Sequence, residues 1–291
     1  MRNYLIGTCL ACAAATPALA NEDKAGMPEG IDWSISASGG LTATDGDGDQ
    51  PFARLGVTRF IGDGYVRASV TRFSTRDGDG LIDTVPASTA QVSFAGGYSF
   101  GSFAVDAYGS LGWREFDPEA FRQRTGQMIE IDSDGKTAAG GVSLTYEVEL
   151  GGGTYLSPFV AGDLGRVDTA RAITVVGRGT ISQKERQTGE TGSLGFTLDH
   201  ALGGGSAIGA YAAFVATSNS AVAIRSSAPV AAARLFGPLD APGTSASWFE
   251  YGGSATVGLS EAMLLDFSVV RTAGFPGEES TSFSAGTRLH F

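Results

Sequence analysis

The chain ends in a strand in which apolar and polar residues alternate up to the last position. One face is apolar and the other is polar or small: Phe283, Ala285, Leu289 and Phe291 against Ser284, Gly286, Arg288 and His290. A strand of this kind that ends on an aromatic residue is typical of the closing strand of a bacterial outer-membrane β-barrel, whose apolar face contacts lipid. The pattern predicts the location and the fold of the protein, but it says much less about its function.

The first twenty residues predict a secretory signal peptide. Arg2 precedes a short run of apolar and small residues, and Ala18-Leu19-Ala20 forms an A-x-A cleavage site. Cys9 and Cys12 lie inside this segment, and a lipoprotein box around Cys9 is the alternative interpretation. Cleavage after Ala20 leaves no cysteine, which excludes disulfides, a thiol nucleophile and a thiolate metal site.

The charge balance and the apolar runs narrow the class of protein further. The chain has 20 Lys and Arg against 31 Asp and Glu; without Arg2 the balance is 19 against 31, a net charge of −12. Nucleic-acid binding needs a basic surface, so we expect no nucleic-acid partner. The longest apolar or small run after the signal covers ten residues, 207–216. A membrane helix needs about 20 such residues, whereas a tilted barrel strand needs about 9–11.

Alternation with a period of two predicts twelve strands. Their ranges are 31–44, 52–61, 65–74, 90–98, 103–114, 137–150, 154–166, 191–200, 206–217, 247–259, 263–272 and 281–291. The connections between them alternate between short, Gly- or Ser-rich turns and long polar loops, such as 115–136 and 167–190. The predicted fold class is therefore all-β, a twelve-stranded antiparallel up-and-down transmembrane β-barrel with short periplasmic turns. A soluble barrel with an apolar interior is disfavoured because twelve strands enclose too wide a space to fill with side chains.

The predicted domain organisation is a signal peptide over 1–20, a short periplasmic segment over 21–30 and the barrel over 31–291. Aromatic residues lie near the ends of the predicted strands, where interfacial girdles of a barrel are expected, and ordinary strand packing is the alternative interpretation. They are Trp33, Tyr65, Tyr98, Phe103, Trp113, Tyr155, Phe249, Tyr251 and Phe291.

The carboxyl-terminal half resembles the β-domain of autotransporters. Residues 155–160, Tyr-Leu-Ser-Pro-Phe-Val, resemble a strand of that family, and 258–291 resemble its last hairpin. Gly286, Leu289 and Phe291 resemble the terminal signal that the barrel-assembly machinery reads, so the resemblance implies that this machinery is a partner during biogenesis. It also implies a location in the outer membrane of a Gram-negative bacterium.

One departure from the family concerns the segment before the first strand. Family members carry a long passenger and a helix that threads the pore, whereas we expect only residues 21–30 here. Ten residues are too few to cross about 30 Å of bilayer as a helix at about 1.5 Å per residue. The expectation is a barrel without a passenger domain.

If the apolar faces point to lipid, the opposite faces line the interior. The charged or titratable residues predicted to line it are Arg54, Arg67, Asp106, Arg114, Glu147, Glu149, Asp163, Glu250, Asp266, Arg288 and His290. Both signs of charge are present. A water-filled, charge-selective pore and a salt-bridged interior that closes itself both stay open at this point.

The longest connection, 218–246, contains a stretch with little charge. We expect residues 228–236 to fold inward, or to pack across the mouth as a short helix that starts after Pro229, and so to plug the barrel. The alternative is an exposed apolar loop that contacts lipopolysaccharide or a protein partner.

Three Asp-Gly runs are weak candidates for divalent-ion sites, because carboxylates at alternate positions bind Ca²⁺ in some loops. Their carboxylates are Asp45, Asp47, Asp49, Asp77, Asp79, Asp132 and Asp134. Asp and Gly are also ordinary turn formers, and this interpretation is favoured. We expect no cofactor.

Catalysis is not expected. The chain has two histidines, His200 and His290, neither in a pattern that would activate a serine, and no Gly-x-Ser-x-Gly motif. The function predicted from the sequence is a narrow porin-like channel for small polar or charged solutes, in contact with outer-membrane lipids and lipopolysaccharide. The alternatives are a closed structural or surface-interaction barrel, or an autotransporter-like export component for a separate passenger.

Overall fold

The computed structural model describes residues 32–44, 50–75, 87–122, 127–220, 244–274 and 279–291. These residues form fourteen β-strands. They are β1 (Trp33–Thr44), β2 (Gln50–Ile61), β3 (Gly64–Thr75), β4 (Ala87–Phe100), β5 (Phe103–Phe116), β6 (Glu119–Arg122), β7 (Met128–Tyr146), β8 (Val148–Gly151), β9 (Thr154–Val175), β10 (Gly179–Gly203), β11 (Ser206–Thr217), β12 (Ala246–Ser260), β13 (Met263–Ala273) and β14 (Ser280–His290).

Twelve of these strands form the wall of a closed antiparallel barrel. Each wall strand pairs with its neighbours in chain order, and β1 pairs with β14 to close the wall, from Ser34 opposite His290 to Thr44 opposite Ser280. The short β8 continues the wall position of β7 after a break at Glu147, and β6 pairs with the first residues of β7. The predicted all-β, twelve-stranded antiparallel barrel is confirmed.

Alternation of side chains places polar residues inside the barrel and apolar residues outside. Along β2, Arg54 and Thr58 point inward and are buried, whereas Leu55 and Val57 point outward and are exposed. Successive residues of a strand face opposite sides of the sheet, so the sequence period of two becomes an apolar outer band and a polar inner face.

The two ends of the barrel differ. At one end, called here the turn end, two-residue turns such as Gly62-Asp63 and Gly101-Ser102 join the wall strands. Gly62 and Gly101 have φ values of 57° and 67°, a region that favours glycine. At the opposite end, called the loop end, the connections are longer.

One prediction about the loop end is wrong. The loops predicted over 115–136 and 167–190 contain β6, the first part of β7 and a hairpin made by the ends of β9 and β10. We call residues 128–136, 167–175 and 179–190 the extension. The strands continue because alternation continues, but the apolar side changes. In the wall part of β9 the outward positions carry Val160 and Leu164, whereas in the extension Ile173 and Val175 lie on the inward-facing parity.

Two of the aromatic residues predicted to form girdles lie elsewhere. Tyr65 and Tyr155 are buried and face the interior, whereas Tyr98, Trp113 and Phe249 are exposed on the outer face. The prediction for Tyr65 and Tyr155 is wrong because successive residues of a strand face opposite sides of the sheet. The position of a residue in this alternation, and not its distance from the end of the strand, decides which face its side chain occupies.

The predicted signal peptide, the segment 21–30 and the predicted plug 228–236 lie outside the described residues. Within the described ranges, no helix is long and apolar enough to cross a membrane.

Candidate functional site: the interior of the barrel

The candidate site is the inner face of the wall, where the sequence predicts a charged lining. Eight of the predicted residues have buried side chains: Arg54, Asp106, Arg114, Asp163, Glu250, Asp266, Arg288 and His290. Arg67 is half-buried and donates a hydrogen bond from Nε to Thr58 Oγ1 at 2.8 Å. Glu147 is half-buried and Glu149 is exposed, both at the turn end.

Asp106 belongs to a row of three residues on neighbouring strands. Tyr65 on β3 lies opposite Gly97 on β4, and Gly97 lies opposite Asp106 on β5. Tyr65 donates a hydrogen bond from its hydroxyl to Asp106 Oδ1 at 2.6 Å. A Cβ atom at Gly97 would overlap with both side chains, so the glycine lets the tyrosine reach across the middle strand.

Asp163 belongs to a second row of the same composition. Tyr108 on β5, Gly141 on β7 and Asp163 on β9 lie opposite one another in turn. Tyr108 donates a hydrogen bond from its hydroxyl to Asp163 Oδ1 at 2.5 Å. A Cβ atom at Gly141 would overlap with the carboxylate of Asp163. We call the two rows together the braced wall, because each one ties three strands together through side chains.

Glu250 is the third buried carboxylate that is bound to aromatic donors. Trp248 donates from Nε1 to Glu250 Oε1 at 2.8 Å, and Tyr211 donates from its hydroxyl to Oε2 at 3.3 Å. Towards the loop end, Trp248 packs in an interior apolar cluster. The other members of that cluster are Phe52, Phe73, Phe159, Tyr211, Ala213, Val215 and Val270. The inner face is therefore polar along most of its length, with this apolar region and a smaller one formed by Phe60, Tyr65 and Ala95.

The strands that close the barrel carry small hydroxyl side chains instead. On β14 the inward positions include Ser280, Ser282 and Ser284, and on β1 they include Ser34 and Thr42. We call the inner face of β13, β14 and β1 the hydroxyl seam. Its side chains hydrogen-bond across strands in three pairs: Thr42 with Ser282 at 2.8 Å, Ser268 with Ser284 at 2.6 Å, and Thr272 with Ser280 at 3.1 Å.

One buried ion pair lies on the seam towards the turn end. Arg288 Nη2 is 3.1 Å from Asp266 Oδ1, and the same oxygen accepts a hydrogen bond from Thr256 Oγ1 at 2.9 Å. The arginine and the aspartate lie on the same face of adjacent strands, so they neutralise each other inside the barrel.

Three carboxylates, Glu147, Glu149 and Asp199, lie close together on one side of the turn end. Burial, followed by the charges of Asp199 and Glu149, raises the pKa of the Glu147 carboxyl above its ordinary value. Glu149 lies opposite Tyr155, whose side chain is buried and inward-facing. This side of the turn-end opening is thus lined by carboxylates that repel one another.

The other candidate residues are placed as follows. Asp132 and Asp134 are exposed on β7 within the extension, and the remaining five carboxylates of the Asp-Gly runs lie outside the described residues. Among the described residues, no group of three or more His, Cys, Asp and Glu side chains could hold a metal ion.

The three residues of the predicted assembly signal lie at the closing strand. Leu289 and Phe291 are exposed on the outer face, and Gly286 faces inward opposite Ser38. The backbone of Phe291 exchanges two hydrogen bonds of 3.0 Å with Trp33, so the last residue takes part in closing the wall.

The sequence prediction missed the partners of the buried carboxylates. Tyr65, Tyr108 and Tyr211 carry the donors, and Gly97 and Gly141 make room for two of them. A signal exists in the alternation for two of them, since Tyr65 and Tyr108 fall on the polar parity of their strands, whereas the inward positions beside Tyr211 on β11 are mostly alanine, glycine and valine. An aromatic residue among inward serines and glycines is a candidate for such a contact.

Solved structures of two autotransporter domains have the same fold. The translocator domain of the autotransporter NalP from Neisseria meningitidis has a TM-score of 0.69 at 14% identity, over 90% of this chain and 90% of that chain. The β-domain of the Bordetella autotransporter BrkA has a TM-score of 0.60 at 17% identity, over 90% of this chain and 99% of that chain. No protein-family model and no curated protein matches the chain.

The likeness is one of fold, and it agrees with the resemblance found in the sequence. The protein is a twelve-stranded barrel with a fold similar to that of these autotransporter domains.

Proposed function

We propose that this autotransporter β-domain-like barrel lies in the outer membrane of a Gram-negative bacterium and is a narrow channel for small polar or charged solutes, selective for cations. The observation that carries the proposal is the polar inner face of a wall whose outer face is apolar. A barrel of about eight strands is filled by its own side chains and one of about sixteen to eighteen leaves an aqueous channel, so twelve strands suit a narrow passage.

The passage is proposed to run along the hydroxyl seam. Its serine and threonine side chains are short, and each offers a donor and an acceptor to water or to a solute. Of the larger interior side chains, Arg114 lies on β5, away from the seam, whereas Arg54 lies on the adjacent β2. Arg288 belongs to the turn-end part of the seam, where it is paired with Asp266.

The proposed selectivity follows from the charges of the inner face. Of the described inward-facing residues of the wall, four are arginines and seven are carboxylates, a balance of −3. They are Arg54, Arg67, Arg114 and Arg288 against Asp106, Glu147, Glu149, Asp163, Asp199, Glu250 and Asp266. Carboxylates at the turn end add to the attraction of cations because a low-dielectric wall focuses the field.

The outer band supports the proposed location. It is formed by exposed aliphatic and aromatic side chains of every wall region, such as Leu55, Phe94, Leu164 and Leu194. We expect this band to contact lipid and lipopolysaccharide, and the terminal residues Gly286, Leu289 and Phe291 to be used by the barrel-assembly machinery during biogenesis.

Single-channel recording of the refolded barrel in planar bilayers tests the function. We expect discrete conductance steps and a reversal potential in a KCl gradient that shows cation preference. Ser284→Tyr should reduce the conductance because the larger side chain projects from the seam into the passage. Ala285→Tyr is the matched control, since its side chain points outward. Absence of steps from protein shown to be folded, or equal effects of the two variants, would refute the channel.

A further inference from the structure

The extension carries a sheet edge that no described residue covers. Beyond Thr191, which lies opposite Thr217 on β11, Thr188 and Glu190 of β10 still bond to Asn219 and Ser218, and residues 179–187 pair with β9 on one side only. Residues 179–186 are exposed. They lie beyond Leu164, the last outward apolar residue in the wall part of β9, since residues 179–186 pair with 168–175.

Hydrogen bonds at the base of this edge show which backbone groups point to it. The Glu190 amide donates to Ser218 Oγ at 2.9 Å, and the Glu190 carbonyl accepts from the Ser218 amide at 2.9 Å. The Thr188 carbonyl accepts from Asn219 Nδ2 at 3.0 Å. In an antiparallel strand the amide and the carbonyl of one residue point to the same neighbouring strand, and those of the next residue point to the opposite side. Even-numbered residues therefore face the edge: Thr180, Ser182, Lys184 and Arg186.

The side chains beside the edge have a specific pattern. Ile131, Ile173 and Ile181 lie opposite one another on three strands and form an apolar row that ends at the edge. Ile181 is 68% exposed at the end of that row. On the opposite face, Arg186 binds Asp168 within the extension at 2.6 Å, and Lys184 stands two residues away.

We propose that this edge of β10 binds an extended polypeptide segment of another protein by antiparallel strand addition. The segment would donate and accept hydrogen bonds at Thr180, Ser182, Lys184 and Arg186. It would place an apolar side chain beside Ile181 and an acidic side chain beside Lys184. Main-chain bonds give such complexes affinity, and alternate side chains give them specificity.

The sequence of the edge supports this use. Proteins protect long exposed edges with prolines, bulges or short strands, because unpaired backbone groups invite pairing. Residues 179–190 contain no proline, and their pairing with β9 is regular throughout. Lys184 is a protecting charge against apolar strands, and it becomes a favourable contact when the incoming strand carries an acidic residue opposite it.

A synthetic peptide based on β9 tests the proposal with the full-length refolded barrel. The probe is residues 167–175 with Ala170→Asp, because this segment already pairs antiparallel with β10 and would place Ile opposite Ile181 and Asp opposite Lys184. We expect saturable binding in fluorescence anisotropy. We also expect slower hydrogen exchange of the amides of Thr180, Ser182, Lys184 and Arg186.

Lys184→Pro removes an edge amide without removing a bond to β9, and an edge strand tolerates proline. It should weaken peptide binding about tenfold or more, while Lys184→Gln, which keeps the amide, should weaken it less. A retained heat-modifiable band on electrophoresis shows that each variant is folded. Equal binding to wild type and Lys184→Pro, or no binding of the peptide to the folded wild type, would overturn the proposal. Neither result bears on the conductance of the barrel.

Discussion

The braced wall and the hydroxyl seam both present polar groups to the interior, but they do so by different means. In the braced wall, Tyr65 and Tyr108 each reach a buried carboxylate by lying across a glycine residue of the middle strand. In the seam, neighbouring serines and threonines meet directly, as Ser268 and Ser284 do. The first arrangement depends on three residues at fixed positions, whereas the second depends on small residues that can each find another partner.

This difference predicts that the braced wall is sensitive to substitution and the seam is tolerant of it. Large side chains that lie over glycines leave no space for relaxation, since protein interiors are closely packed. Small hydroxyl groups bond to water or to the backbone when a partner is lost.

The largest expected effect is that of Gly141→Val. The new side chain would overlap with Asp163, so we expect a loss of about 3 kcal/mol in the free energy of unfolding. Urea titration in lipid vesicles, followed by tryptophan fluorescence, measures it. Gly162→Val is the control, because a Cβ atom at Gly162 meets nothing within 4 Å. Similar losses in both variants would contradict the argument for bracing.

The next effect in size is that of Tyr108→Phe. Removal of the hydroxyl takes a donor from the buried Asp163 carboxylate, which should cost about 2 kcal/mol in the same titration. Tyr98→Phe removes a hydroxyl from the outer face, where Tyr98 is exposed, and should change stability little. An unchanged Tyr108→Phe variant would mean that the hydroxyl does not stabilise the wall.

On the seam, Ser284→Ala should cost about 1 kcal/mol or less, since one neutral hydrogen bond to Ser268 is lost. The double variant with Ser268→Ala should be no less stable than the single one, because both partners are then apolar. A strongly additive loss in the double variant would show that the seam is braced as firmly as the opposite wall.

The smallest effect concerns pH at the turn end. Burial raises the pKa of Glu147, so the folded protein binds this proton more tightly than the unfolded chain does. The stability contributed by the protonated form is present below the ordinary glutamate pKa and is lost as the pH rises through the raised value. Glu147→Gln should therefore be slightly more stable than wild type at neutral pH and equal to it in acid. The urea midpoints at both pH values measure this, and a reversed order would contradict it.

Much of the barrel can be predicted from the sequence because one physical rule repeats along the chain. Each wall strand alternates apolar and polar residues, and the short turns recur between alternate pairs, so strand number and parity follow from the pattern. The extension does not follow this pattern. Its apolar residues Ile173 and Val175 occupy the positions that face inward in the wall. The predicted strand therefore stops earlier than the hydrogen-bonded strand of the structure does.

The interior contacts are harder to predict because they depend on register between distant strands. Tyr108 and Asp163 are 55 residues apart, and they meet only when β5, β7 and β9 are paired in one particular register. The alternation places both residues on the inner face but does not specify which positions lie opposite each other. Turn geometry and packing set that register.

The closing of the barrel by β1 and β14 has a kinetic consequence. Thr42 and Ser282, which hydrogen-bond across the seam, are separated by 240 positions, whereas the other wall strands pair with close neighbours along the chain. Contacts between such distant residues form slowly, because a long loop must be ordered first. An unclosed sheet has two open edges, and each unsatisfied backbone group in hydrocarbon costs several kcal/mol. In the outer-membrane location proposed above, we therefore expect closure of the seam to accompany insertion, with the partly paired sheet kept out of lipid until the seam forms.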